Sequence, residues 1–104
     1  MKTLISTVIL VASVGMVSTA QASEALAQKN SCLACHAMDK KVLGPAFTEV
    51  AKRYGSQKDA AAVIATSIKK GGSGKWGAIP MPANDSLSAD DALALSNWIL
   101  SLAK

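Results

Sequence analysis

From Ser23 to Lys104 the chain holds only 21 large apolar side chains (Val, Ile, Leu, Met, Phe, Tyr and Trp) beside 16 alanines. That shortage restricts the folds open to it. A domain of 82 residues buries a smaller fraction of its surface than a larger one, and such domains are marginal without a disulfide framework, a metal or another staple. With two cysteines and one histidine in the whole sequence, a disulfide-rich scaffold is excluded. Something other than side chains must fill the middle.

The count starts at Ser23 because the residues before it read as a leader. Lys2 precedes an apolar run from Leu4 to Val17, and small residues then end in Ala20-Gln21-Ala22. A basic start, an apolar middle and an A-x-A end describe a secretory signal peptide. The alternative, an uncut membrane anchor, needs a longer run without Ser6, Thr7 and Ser13, and a stop-transfer cluster after it. No Cys follows the cut to carry a lipid. The expected organisation is residues 1–22 as a cleaved signal and residues 23–104 as one domain with no stable membrane insertion. After the cut, 10 basic and 7 acidic residues remain, too little net charge for a nucleic-acid binder and too few residues for a two-domain enzyme.

The remaining chain reads as about four short helices, and the class is all-α. Glu24–Asn30 holds strong helix formers, with Leu26 and Leu33 on one face, and is expected to continue to His36 or Ala37. Pro45 suits the first turn of a helix through Val50 and Tyr54, with Gly55 as its stop. Ser56 and Asp59 suggest a capped start for a third helix with the stripe Ala60, Val63, Ile64 and Ile68, ending at Gly71-Gly72. Ser88 and Asp91 repeat the device before Leu95, Trp98, Ile99 and Leu102. Between the last two helices lies a loop, Gly71–Leu87, rich in Gly, Pro and Ser, of a length that is usually functional in so small a domain.

The chemistry sits in Cys32-Leu33-Ala34-Cys35-His36. A redox pair of the thioredoxin kind needs a βαβ context, and no strand pattern is present; a zinc site needs about four ligands, and no second cluster exists. C-x-x-C-H is the signature of covalent haem attachment. Cys32 and Cys35, three apart, can form thioethers to the vinyl groups of one haem edge while His36 turns its imidazole to the iron. For the opposite position, Met1 and Met16 leave with the leader and Met38 is too near His36 to cross the ring. Met81 remains, in Ile79-Pro80-Met81-Pro82. Core filler is the commoner fate of a Met, but the flanking prolines stiffen this loop in a way suited to presenting one thioether.

Over nearly all of residues 23–104 the chain resembles a small bacterial class I cytochrome c of the cytochrome c-551/c-552 type. The resemblance rests on Cys32–His36, Lys41-Val42-Leu43-Gly44-Pro45-Ala46, Gly74-Lys75-Trp76-Gly77-Ala78-Ile79-Pro80-Met81-Pro82 and Asn97-Trp98-Ile99-Leu100. It implies a class I cytochrome c fold of about four short helices around one covalent haem c, its iron held by His36 and Met81. By the same resemblance the Pro45 carbonyl accepts a hydrogen bond from the His36 ring nitrogen away from the iron, Trp76 donates its indole N–H to a haem propionate, and Asn84 contacts the Met81 sulfur. Two positions depart from the pattern. Ala83 stands where a second Pro is common, and Ser67 stands where some relatives carry an Arg facing a propionate.

An iron with both axial positions filled leaves one-electron exchange at the haem edge, so the expectation is an electron carrier and not an enzyme. The resemblance implies a soluble periplasmic monomer that meets its partners transiently in a respiratory chain. Nitrite reductase, a terminal oxidase and a cytochrome c peroxidase are the candidate acceptors. Lys29, Lys40, Lys41, Lys69, Lys70 and Lys75 flank the segments expected near the haem. Two rival readings stay open: a haem-based gas sensor or peroxidase in which Met81 leaves the iron, and a subunit docked permanently in a larger oxidoreductase.

Overall fold

The computed structural model describes residues 8–13, 15 and 19–103, with the backbone alone at 19–22. Four α-helices follow one another: α1 Thr19–Lys29, α2 Phe47–Tyr54, α3 Ala60–Lys70 and α4 Ala89–Ser101, with one 3₁₀ turn at Cys32–Ala34. Among the described residues there is no strand, only isolated antiparallel bridges at His36–Lys41 and Gly72–Met81. Of the expected leader, residues 1–22, half lie outside the described residues.

The first helix stops earlier than its composition suggests. Asn30 donates both its backbone N–H and its side-chain amide to the Leu26 carbonyl, at 3.1 and 2.8 Å. Ser31 then takes φ 60°, a left-handed conformation in which an L-residue cannot continue an α-helix. The chain restarts as the 3₁₀ turn, and the His36 N–H closes it on the Cys32 carbonyl at 3.0 Å. Three residues per turn place Cys32 and Cys35 on one side, so the expected shared face survives although the helix does not.

Pro45 lies outside α2 rather than in its first turn. Ala46 is the N-cap and Phe47 the first helical residue. The first amides of α2 find backbone partners instead of a capping side chain: Phe47 N–H donates to Ala37 at 2.9 Å and Thr48 N–H to Met38 at 3.0 Å. These bonds satisfy orphan donors and tie the strand of chain after His36 to the helix start. Helix α3 begins at Ala60, and Ser56 does not cap it; residues 55–59 turn through Gln57 N–H to Tyr54 O and Ala60 N–H to Gln57 O. At α4 the expected cap is present, with Ser88 Oγ accepting from the Asp91 N–H at 3.0 Å.

Helix α4 packs against α1, α2 and α3. Leu95, Trp98 and Ile99 form its buried stripe, while Leu102 is half-buried. Ser96, fully buried, turns its hydroxyl back to the Ala92 carbonyl at 2.7 Å, so the stripe carries no unpaired polar atom into the core. Phe47, Val50, Ile64, Ile68, Leu95, Trp98 and Ile99 form the core, yet all of them also line one large cavity. The apolar residues surround a hollow instead of closing on one another, as their small number requires.

Candidate functional site

The cavity encloses about 1140 Å³ including its open mouth, and Cys32, Cys35, His36 and Met81 all line it. The structure therefore brings together the four residues singled out from the motif and the loop. Neither cysteine is paired in a disulfide, and both are half-buried. Burial raises the Cys32 thiol pKa above its ordinary value; its backbone hydrogen bond lowers it, and neighbouring Cys35 raises it further. Among the described residues no cluster of His, Cys, Asp or Glu could hold a bare metal ion.

His36 is held on three sides. Its Nδ1 lies 2.7 Å from the Pro45 carbonyl oxygen, and a carbonyl can only accept, so Nδ1 carries the proton. The neutral ring then keeps its lone pair on Nε2, the tautomer that a metal-binding histidine needs. Because Pro45 precedes the helix, its carbonyl is free for this contact. Phe47 stacks on one face of the ring, centroids 5.0 Å apart and planes 21° apart, and its other neighbour Trp98 meets it edge-on at 5.3 Å. Gly44 covers the His36 ring as well: a Cβ there would lie 2.6 Å from His36 Cε1 and 2.9 Å from Nδ1. Neither the Phe47 stack nor the Gly44 approach is legible in the sequence, because no spacing or period relates these residues to His36.

Met81 is pinned to the end of α3. Gly72 and Met81 exchange two backbone hydrogen bonds, at 3.1 and 2.8 Å. Gly71 makes the approach possible: its φ is 70°, and a Cβ would run into the Met81 carbonyl oxygen, so only glycine fits. Asn84 sits between the end of α3 and the Met81 loop. Its backbone N–H and its side-chain Nδ2 both donate to the Ile68 carbonyl, at 3.0 and 3.2 Å, and its amide makes no hydrogen bond to the Met81 sulfur. It satisfies a carbonyl at the C-terminal end of α3 and so anchors the loop, because Ile68 O has no further helical turn to serve.

Trp76 lines the cavity mouth. The Arg53 guanidinium lies over its ring, 4.4 Å from the centroid, and donates to the Lys75 carbonyl at 2.7 Å. Arg53 was missed in the sequence, where it reads as a solvated helix residue. Ser67 also lines the cavity, half-buried.

Two attachable thiols, an imidazole with its lone pair kept free, a thioether and apolar walls make a donor set that suits haem and no bare ion. The sequence pattern described as Cytochrome c matches residues 20–103. The chain belongs to the cytochrome c family. It is 52% identical over 83 residues to cytochrome c-552 of Nitrosomonas europaea, covering 80% of this chain and 81% of the relative. With cytochrome c-552 of Hydrogenobacter thermophilus it shares 47% identity over 94 residues, 90% of this chain and 95% of the relative. A crystal structure of wild-type Nitrosomonas europaea cytochrome c552 superposes with TM-score 0.74 at 51% identity, over 76% of this chain and 98% of that one. This cytochrome c is thus of the small class I, c-551/c-552 type, an electron carrier rather than an enzyme, and its cofactor is one haem c joined covalently through the C-x-x-C-H cysteines.

Proposed function

We propose that residues 1–22 are a signal peptide removed after Ala22 and that residues 23–104 act in the periplasm as a soluble carrier whose haem iron is held by His36 Nε2 and Met81 Sδ. The observation that carries the ligand assignment is the 2.7 Å bond from His36 Nδ1 to Pro45 O, which leaves Nε2 as the donor on a ring that Gly44 approaches and Phe47 stacks against. The loop bonds of Met81 support the second ligand. Export is supported by the leader pattern and by Val8–Val11, each at least 80% exposed, an apolar run that packs on nothing in the domain. No helix among the described residues is long and apolar enough to cross a membrane.

When bound, the haem supplies reversible one-electron exchange. The chain's residues set the terms of that exchange. A thioether beside an imidazole, inside apolar walls, raises the potential by favouring the reduced state. Leu43 and Ile79 line the cavity and are 52% and 60% exposed, giving the mouth an apolar rim. Exposed Lys29, Lys40, Lys41 and Lys75 suit brief docking to an acidic face of a respiratory partner, with an on-rate that falls as salt rises. Nitrite reductase, a terminal oxidase and a cytochrome c peroxidase are the acceptors proposed, each met through a small, fast-releasing interface.

The test is the absorption spectrum of the reduced, purified protein with and without carbon monoxide. A c-type spectrum unmoved by the gas is expected, because Met81 holds the sixth position. A prompt shift would show an open iron and put the sensor or peroxidase reading first.

A further inference from the structure

We propose that Arg53 is the positioning residue of the cleft mouth: it fixes Trp76 there and supplies the permanent positive charge for the haem carboxylates that Ser67, on α3, does not. The inference rests on the haem reading above.

Three contacts converge on one exposed side chain. The Arg53 guanidinium lies 4.4 Å over the Trp76 ring and 6.0 Å from the Tyr54 centroid, and it donates to the Lys75 carbonyl at 2.7 Å. The bond joins α2 to a loop residue 22 positions away. Both aromatic partners line the cavity, so the clamp acts on its wall. Gripping Trp76 by its face and by the carbonyl just before it removes two freedoms of the indole at once, the tilt of the ring and the position of its backbone.

The donors of the lining point to the same end of the cleft. Cys32 and Cys35 bind one edge of a haem, and the carboxylates at the other edge need hydrogen-bond donors. The lining offers Trp76, Tyr54, Ser67, Ser73 and Lys75. Ser67 is neutral and Lys75 is an exposed cation with no side-chain contact to hold it, so the cation held in place at this wall is Arg53, which stands behind the lining, stacked on Trp76 and bonded to the Lys75 carbonyl. A guanidinium suits the position because it is planar, always charged, and keeps N–H groups free after one is used on Lys75. A lysine retains the charge but has no plane to stack.

The other charged and titratable groups around this end are Lys75 from the loop, Tyr54 from α2 and, in a groove on the outer side of Trp76, Asp39, Lys40, Lys41 and Glu49. They stay constant across the variants below. A nearby positive charge favours an ionised carboxylate and so lowers its pKa; taking the charge away moves the ionisation to higher pH.

The experiment uses the haem-loaded protein, its Arg53→Met and its Arg53→Lys variants, after haem content and spectrum are shown to match. Reduction potentials are measured across pH, and exchange of the Trp76 indole hydrogen is followed by NMR. In the parent the potential bends with pH as the haem carboxylate ionises. In Arg53→Met the bend is expected to move up by about one pH unit, and indole exchange to quicken about two- to fivefold. In Arg53→Lys the bend is expected to stay near the parent's, because the charge is kept, while exchange still quickens. A parent potential without a bend, a bend unmoved in Arg53→Met, or the full displacement in Arg53→Lys would each overturn the inference and leave the carrier reading intact. Parent protein without haem would instead overturn that reading, and the inference with it.

Discussion

Replacing Gly44 by alanine sets two effects of opposite sign against each other. The φ of Gly44 is not in the left-handed region, and at such a site an unhindered Gly→Ala change stabilises a protein by about 0.4–1 kcal/mol, through the unfolded chain. Here the new methyl would meet the His36 ring at 2.6 Å from Cε1, 2.9 Å from Nδ1 and 3.1 Å from Nε2. Carbon atoms rest best at about 3.5–4.0 Å, so the ring must retreat by about 1 Å. Phe47 is stacked on the ring at 5.0 Å between centroids, and Pro45 O holds Nδ1 at 2.7 Å. Retreat therefore compresses the stack or stretches the bond. Overpacking of this kind costs about 1–3 kcal/mol, and a weakened hydrogen bond up to about 1 kcal/mol more. Subtracting the unfolded-state gain leaves a net loss of up to about 3.5 kcal/mol, and about 2 kcal/mol at the middle of these ranges. For a domain of this size the mid-range loss lowers Tm by roughly 8–16 °C, measured on the haem-loaded protein by far-UV circular dichroism. A Tm equal to the parent's or above it would refute the claim that Gly44 is there to admit the imidazole.

Three further changes test the loop and the helix ends. Gly71→Ala, at φ 70° with Met81 O in the way, should cost about 1–2 kcal/mol in backbone strain alone; on the Met81 ligation proposed above, displacement of its loop should weaken the sulfur-to-iron charge-transfer band of the oxidised, haem-loaded protein, and an unchanged band would contradict the packing. Asn84→Ala removes one of two donors to Ile68 O and should lower stability by about 0.5–1.5 kcal/mol, read as a lower denaturation midpoint in guanidinium. Ser88→Ala deletes the cap on Asp91 N and should cost about 1 kcal/mol in the same titration with no change in the haem spectrum.

The departures from the sequence reading share one origin. Leu26, Leu33 and the alanines between them make a fair helix face, but Asn30 has a side chain that competes for the Leu26 carbonyl, and propensity carries no record of that bond. Pro45 was expected inside α2 because its missing N–H fits there. The bonds of Phe47 and Thr48 to Ala37 and Met38, partners about ten residues back in the chain, set the helix start instead. Ser56 offered a plausible cap that successive turns through Gln57 displaced.

What the sequence determined by itself is local or compositional. The all-α class follows from periodicity, the α4 cap from Ser88 and Asp91, and the hollow core from a count of apolar residues too low to fill it. The C-x-x-C-H spacing specifies its chemistry because its members are neighbours in the chain. Tertiary structure alone decided which groups meet across distance: Gly44 and Phe47 against the His36 ring, Gly71 against the Met81 carbonyl, Asn84 on Ile68, and Arg53 on Trp76. Each is a contact between residues that no period or spacing relates, and whether they touch depends on how α2, α3 and the Gly71–Leu87 loop pack around the cavity. Packing is a property of the whole chain, so its consequences become visible only once the chain is folded.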